Sequence, residues 1–528
     1  MEEERWVPKH NPWLIAIVVS MATFMEVLDT SVANVALPHI AGSLGASQDE
    51  STWILTSYLV SNAVVLPMAA YFSTLIGRKR FYMLCVALFG VGSLLCGLAP
   101  TLPLLLFFRV LQGAGGGGLG PSEQSILADS FAPEKRGQAF ALYGMAIILA
   151  PTIGPTIGGL ITDNFGWRWV FFINLPVVAL SLYLTHKLVE DPPAIQKEVK
   201  EAKSGHFRID YVGFALLALT FGTLEVVLDK GQEADWFGST YITAFAVTAL
   251  VAFISVIVWE LRLARKQQRP ILDLSLFGNR TFAVAMAMMF VVGASLYAIN
   301  TLIVQLLQNL MGYTAEQSGI AQIGGGIATM LCMALVGAIS SKIDARKLIA
   351  FGFAITAASL FYMGGLNLLM SMHYASLLKF YQGFGIAFLF IPITTMSYVG
   401  IPANKNNDVA GMTNLARNIG GSCGTSFLTT VFARHQQVHQ RVLGRHATNG
   451  NIFYNNTINT LTQQHMAGGS GKTLAHSQAV QQFYQQLQKQ AGVLSYIDVI
   501  TFFAFACLFM VPFSLLMKKN TSGEVKMH

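Results

Sequence analysis

Three ionisable residues stand where a lipid-facing helix has no use for them. Glu26 and Asp29 lie inside the first long apolar run, WLIAIVVSMATFMEVLDTSVANVALP from Trp13 to Pro38, and Arg109 lies inside the fourth, LLLFFRVLQGAGGGG. A carboxylate near the middle of a bilayer costs roughly 2.5 to 3.5 kcal/mol on insertion scales, so such acids face a cavity, pair with a cation or handle protons. Glu26 and Asp29 are three residues apart, which puts both on one side of a helix. Counting about 1.5 Å per residue from Trp13 sets them roughly 20 and 24 Å into a core about 30 Å thick. Two acids so close in a low dielectric compete for a proton, and one of them can take it up and release it. Arg109 is always charged and is the obvious partner. It either exchanges partners between conformations, linking proton binding to helix movement, or acts as a fixed stabiliser. Further intramembrane charges are Arg417 in the thirteenth apolar stretch and Glu225 in the seventh. Glu225 reads equally as a functional acid, a local hydrogen bond, or a pair with a lipid headgroup or another subunit. With the polar residues Asn34, Gln112 and Gln305, these charges form the candidate proton and substrate site.

The elements that must position them are membrane helices. Of the 528 residues 53% are hydrophobic and only 12% charged, and the mean hydropathy is +0.52, which leaves too little polar surface to cover a soluble globule. The opening MEEERWVPKH is a poor secretion signal, since the apolar run behind it is long, carries two acids and lacks a small-residue cleavage site. It reads as a cytoplasmic tail before a retained span. The net charge of +7 is placed in loops and does not point to nucleic acid. Five scattered cysteines (Cys85, Cys96, Cys332, Cys423, Cys507) sit in apolar stretches and offer neither a disulfide framework nor a zinc site.

Fourteen stretches are long enough to span: about 13–36, 52–75, 81–99, 103–125, 138–161, 169–188, 211–228, 241–261, 281–309, 317–340, 347–369, 375–399, 410–433 and 496–517. Basic residues such as Arg78, Lys79, Arg80, Lys135, Arg136, Lys203, Arg208, Arg269, Arg346 and Lys526 collect on one side, against Arg168 and Lys230 in the short loops of the other. That bias predicts both termini in the cytoplasm. LLFFRVLQGAG around Arg109 recurs as LLKFYQGFG around Lys379, at one offset for Arg109 and Lys379, Gln112 and Gln382, and Gly113 and Gly383. Eight spans separate the copies, so they run the same way through the membrane, as a parallel six-span repeat with two inserted spans requires. The reading is an all-α membrane protein with an N-terminal six-helix bundle over 1–190, linkers and two inserted helices over 191–280, and a C-terminal six-helix bundle over 281–528. The last bundle carries a long polar outer loop at about 434–495. Within it Val480, Phe483, Tyr484 and Leu487 have the spacing of an amphipathic helix that could rest on membrane, transporter or partner.

Other motifs are structural or misleading. APTIGPTIGG (150–159) sets Gly154 and Gly158 four apart for close helix approach, while Pro151 and Pro155 remove backbone hydrogen bonds and bend the helix. Gly113, Gly115 and Gly118 match a dinucleotide fingerprint but follow no strand. GGSGKTLA (468–475) has Met466 where a Walker A loop needs glycine, so the sequence makes no case for ATP. His435 and His439 are four apart and could share a metal, but no acid or cysteine completes the set, so they read as part of a solvated helix and no metal site is expected.

LDTSVANVALP (28–38), LLLFFRVLQGAGGG, APTIGPTIGG, WRWVFFINLP (167–176), VQLLQNLMGYTAEQSGIA (304–321) and GMTNLARNIGGSCGTS (411–426) appear in order along the chain. Together they resemble the signatures of the fourteen-span drug:proton antiporters of the EmrB/QacA type in the major facilitator superfamily, closest to the EmrB branch. The resemblance implies a proton-coupled role for Asp29 and a proton-transfer role for Arg109. It implies an exporter motif in Pro151, Gly154, Pro155, Gly158 and Gly159, no cofactor, and residence in a bacterial inner membrane. It further implies an EmrA-type periplasmic adaptor and a TolC-like outer-membrane channel as partners. The loop motif after the second span departs from the family. Ala70 and Thr74 replace its glycine and its aspartate, leaving Gly77, Arg78, Lys79 and Arg80, which puts the usual gating latch in doubt.

The expected function is therefore export of amphipathic, hydrophobic or cationic toxic compounds in exchange for protons, by alternating access. A dedicated carrier for one metabolite, siderophore or lipid precursor is the alternative within the class, and a non-transporting receptor or adaptor the alternative outside it. An enzyme is not expected, since the spans read as holding no nucleophile with a paired base and no His/Asp metal cluster.

Overall fold

The structure is a computed structural model that describes residues 6–201, 210–266, 268, 270–340, 342–368, 370–448 and 450–519. Lys203, Arg208, Arg269 and Lys526 lie outside the described residues. In chain order the helices are α1 (Pro12–Leu44), α2 (Gln48–Val65), α3 (Ala69–Ile76), α4 (Arg78–Leu98), α5 (Leu102–Gly116), α6 (Leu119–Ser130), α7 (Pro133–Phe165), α8 (Trp169–Phe172) and α9 (Asn174–Leu188). They continue with α10 (Pro193–Glu201), α11 (Tyr211–Lys230), α12 (Thr240–Arg265), α13 (Arg280–Gln305), α14 (Ala315–Ile339), α15 (Ala345–Met363), α16 (Met372–Ser397), α17 (Asn406–Gly444), α18 (Ile452–Ala467) and α19 (Lys472–Phe513).

Local chemistry sets many of these boundaries. Asn11 caps α1 by accepting the Trp13 N–H, with Pro12 at the first helical position, and Gly45 ends the helix in a left-handed turn at φ 64°. Ser47 with Glu50, and Thr314 with Gln317, form reciprocal capping boxes that start α2 and α14.

Thirteen helical stretches among the described residues are long and apolar enough to cross a bilayer. Helix α17, thirteenth in chain order, brings the spans to fourteen; the polar run NNDVAGMTNLARNIGGS lowers its hydropathy, yet it packs against α13 and α19 inside the bundle. Short breaks divide three of the spans, between α2 and α3, α5 and α6, and α8 and α9. One six-helix bundle is built on α1 against α7, α4 against α5 and α9, and α2 against α5. The other is built on α13 against α17, α14 against α16, and α15 against α16 and α19. The inserted helices α11 and α12 pack on each other, with α11 against α2.

The sequence repeat has a structural counterpart. In the first bundle Arg109 donates to Gln112 Oε1 at 2.8 Å, and in the second Lys379 donates to Gln382 Oε1 at 2.6 Å and to Asn300 Oδ1 at 2.5 Å.

The segment at 434–495 is not a loop. Helix α17 runs through to Gly444 and α19 begins at Lys472, so the last two spans continue out of the bundle and α18 packs against α19. At 39 and 42 residues these helices are about 58 and 63 Å long, about twice the thickness of a bilayer core. Polar composition suggested a loop, but helix ends are set by caps and breakers, and the stretch from Lys472 into the apolar portion contains no proline and a single glycine, Gly492, which stays inside the helix. The stripe of Val480, Phe483, Tyr484 and Leu487 turns toward the chain itself. Phe483 meets Tyr454 edge to face at 5.1 Å, Gln440 donates to Tyr484 at 2.6 Å, and the stripe lines a cavity of about 470 Å³ beside α17. The hairpin end of the molecule is thus distinct from the basic end, which carries Arg78, Lys135 and Arg346.

Small residues let α7 approach α1. A side chain at Gly154 would strike Ser31, and one at Gly158 would come within 3.1 Å of the Val32 Cα, whereas Gly159 faces open space. Overpacking of this kind costs about 1–3 kcal/mol. Gly154→Leu should therefore lower the thermal midpoint of the purified protein by several degrees, while Gly159→Leu leaves it within about a degree; equal shifts would show that the motif is not the packing face.

Candidate functional site

The site is built from α1 outward. Asp29 is 1% exposed, and its two carboxylate oxygens are both engaged. Arg109 Nη1 donates to Oδ2 at 2.6 Å, while Gln112 Nε2 and Asn174 Nδ2 donate to Oδ1 at 3.0 and 2.6 Å. Asn174 is oriented in turn by Ser93, which accepts from its amide at 3.0 Å and donates to the Phe171 carbonyl at 2.8 Å. Arg109 is wholly buried; its Nε donates to the Ile54 carbonyl at 3.2 Å and its guanidinium lies 4.5 Å from the Tyr58 ring centre. Its Nη2 has no hydrogen-bond partner among the described residues. The pair is thus a charge-compensated, hydrogen-bonded island joining α1, α5 and α9, with one donor left over.

Glu26 is held differently. One turn back along α1 and only partly buried, it accepts from Tyr58 at 2.9 Å and from Asn62 at 3.1 Å, both on α2. Three-residue spacing rotates successive side chains by about 60° around a helix, which is why neighbouring acids reach different partners. Tyr58 bridges them, with its hydroxyl on Glu26 and its ring beside Arg109.

Sequence reasoning missed three members of this constellation. Asn174 lies within the motif WRWVFFINLP as a lone amide in an apolar run, and Ser93 gave no signal. The third, Glu123 on α6, is 0% exposed and accepts from Ser20 at 2.5 Å, with the Thr23 side chain also beside its carboxylate. It stands two residues before the end of the fourth apolar stretch, where sequence alone does not separate a buried acid from a boundary residue.

The remaining candidates are dispersed. Arg417 on α17 donates to the Tyr143 hydroxyl on α7 at 3.2 Å, and that hydroxyl donates to Asn414 at 2.7 Å, a polar contact across the seam between bundles. Glu26 and Glu123 both lie within electrostatic reach of Arg417. Glu225 is buried and accepts from Ser422 on α17 at 2.8 Å, so it faces the second bundle and not lipid. Farther along α11, Asp229 accepts from Thr56 and Lys230 donates to Thr52, tying the inserted helix to α2 as well. Asn34 is exposed and takes no part in the Asp29 network; Gln305 accepts from Tyr496 at 3.4 Å within the second bundle.

The basic turn finds an acid on another helix. Gly77, at φ 95°, turns the chain into α4, and Arg78, 1% exposed, pairs with Asp129 at the end of α6. Asp129 also accepts from Asn406 of α17 at 3.0 Å, so one carboxylate joins the basic turn to the second bundle. Arg80 is exposed. Nearby, Asn407 donates to Ser73 at 3.3 Å and Phe140 stacks on Tyr398 at 5.5 Å, so the bundles meet closely at the basic end. Outside the membrane at that end, burial opposes the charge of Asp273, but Lys405 at 2.6 Å and Ser275 hold its carboxyl below the usual range.

Comparison with known proteins places this geometry in context. A family described as "Major Facilitator Superfamily" matches residues 19–425. The chain is 38% identical to the Probable multidrug resistance protein EmrY of Escherichia coli (strain K12), over 82% of each chain. It is 34% identical to the Multidrug export protein EmrB of the same organism, over 95% of this chain and 94% of that one. Among solved structures, the human organic anion transporter MFSD10 (TETRAN) is similar in fold, with a TM-score of 0.56 at 11% identity over 95% of this chain and 100% of that one.

Removing one member of a buried ion pair leaves the other uncompensated and costs about 3–5 kcal/mol, whereas neutralising both is far milder. Arg109→Ala should therefore be less stable to heat than the double variant Arg109→Ala with Asp29→Asn. Thermal unfolding of the purified proteins checks this, and a double variant no more stable than the single one would show that the two charges do not depend on each other.

Proposed function

From the premise that this chain belongs to the Major Facilitator Superfamily, and is a multi-pass membrane transporter and not an enzyme, we propose that it is a proton-coupled multidrug exporter working by alternating access. The observation that carries the reading is the Asp29–Arg109 island beside a partly exposed Glu26. While Asp29 is charged, Arg109 is held and α1, α5 and α9 are cross-linked through one carboxylate. A proton arriving on Asp29 removes the attraction and frees the guanidinium toward Gln112 and the Ile54 carbonyl, which already accept from it. The cross-link loosens when the proton arrives and re-forms when it leaves. Glu26, the accessible acid, offers a cationic or polar substrate a counter-charge, and competition between substrate and proton for the two acids supplies the exchange.

The energy suffices. One charge crossing 100 mV releases about 2.3 kcal/mol, enough for roughly a fifty-fold substrate gradient. The close meeting of the bundles at the basic end, through Asn406 with Asp129 and Phe140 with Tyr398, suits a state closed on that side. The distribution of basic residues favours that side as the cytoplasm of a bacterium, with both termini there and the chain in the inner membrane. The hairpin of α17, α18 and α19 then projects to the outside. It is a surface of the right placement for an EmrA-type adaptor, which would connect the exporter to a TolC-like channel.

Asp29→Asn should insert and fold but lose drug-driven proton release in proteoliposomes, and Glu26→Gln should weaken transport of cationic substrates more than of neutral ones. Proton release by Asp29→Asn equal to that of the unaltered protein would remove Asp29 from the coupling.

A further inference from the structure

The fold completes a set of donor atoms that the sequence left unfinished. His435 and His439 are one turn apart on α17, and α19 brings Asp498 between them. His435 Nδ1 lies 2.6 Å and His439 Nε2 lies 2.7 Å from the same oxygen, Asp498 Oδ2, and all three donor atoms fall within 4.8 Å of one another. An acid 59 residues away from His439 in sequence was invisible to a reading by spacing. From this juxtaposition we infer that His435, His439 and Asp498 form a binding site for a divalent transition metal ion, of which zinc is the type.

The chemistry of the donor set fits. Two imidazoles and one carboxylate make a three-ligand set that zinc binds with a fourth position for water. Ligands about 2.0 Å from one tetrahedral centre stand about 3.3 Å from each other, so an ion requires the two nitrogen–oxygen distances to open by only about 0.6 Å. Such a change is within rotamer adjustment of three side chains that are 47%, 25% and 35% exposed. The exposure also supplies the route by which an ion and its remaining water enter. The backbones beneath are fixed: Phe432 of α17 stacks on Tyr496 of α19 with ring centres 4.2 Å apart, and Phe427 packs on Phe502 at the same separation. A hydrogen-bonded clasp needs only one nitrogen on the carboxylate, whereas here two rings converge on one oxygen. That convergence is what a shared cation organises.

The position gives such an ion a task. The three residues sit where α17 and α19 emerge toward α18, so a bound metal pins the root of the projecting hairpin. Both helices belong to one bundle, and the pin does not have to break when the bundles rock.

The test is zinc binding by the full-length protein, stripped with chelator, carrying no polyhistidine tag and held in lipid nanodiscs. Affinity is read by competition with a chromogenic chelator. Unaltered protein should bind one Zn²⁺ per chain, and His439→Gln and Asp498→Asn should each weaken binding at least ten-fold. His439→Cys should stay within a few-fold of the unaltered protein, because a thiolate replaces the imidazole as a ligand but not as a hydrogen-bond partner. The same affinity in all four proteins, or a His439→Cys loss as large as that of His439→Gln, would overturn the inference and leave a hydrogen-bonded clasp. Binding is read without transport, so either result stands apart from the proposed exchange of protons for drugs.

Discussion

A charge sealed from water must find its opposite, and the first bundle is arranged around that requirement. Asp29 and Arg109 are both essentially inaccessible, and their pairing recruits an amide from α5, another from α9 and a carbonyl from α2. Helices that share no hydrophobic driving force in lipid are thereby held at a fixed distance by electrostatics and by small residues that allow close approach. The second bundle answers the same position with Lys379 held by two amide oxygens. The duplicated frame is retained, but among the described residues an ion pair fills that position in the first half alone.

The seam between the bundles shows how the frame is closed. At the basic end Asp129 serves both Arg78 and Asn406, a carboxylate shared between a turn of one bundle and a helix of the other. Deeper in, the Tyr143 hydroxyl mediates between Arg417 and Asn414. The inserted helix α11 touches both sides, α2 through Asp229 and Lys230 and α17 through Glu225. The added span is thereby bonded to helices of both bundles.

Hydropathy made the spans legible, because roughly 20 apolar residues in a row leave few other structures. The pairing of Asp29 with Arg109 was legible too, since two opposite charges in lipid have little alternative to each other. Glu123 and Asn174 were not legible. Nothing in sequence tells an acid near a span's end from one buried inside it, or an amide that orients a carboxylate from one that packs. Thr74 stands where the family's turn carries an acid; the fold brings Asp129 to Arg78 from another helix, a pairing that spacing along the turn does not reveal. The hairpin was misread for a similar reason. Composition reports polarity, and Gln-rich sequence is polar both as a loop and as a solvated helix.

An uninterrupted helix cannot hinge where it leaves the bilayer. From Lys472 to Ser495 α19 extends about 36 Å beyond its apolar portion without a break, and α17 runs beside its lower part as a brace. Any reorientation of the buried portion is therefore carried outward as by a rigid mast. A tilt of about 10° displaces the tip by roughly 6 Å over that length. Whatever rests against the mast feels that tilt mechanically, amplified by leverage, at a distance from the buried helices that produce it.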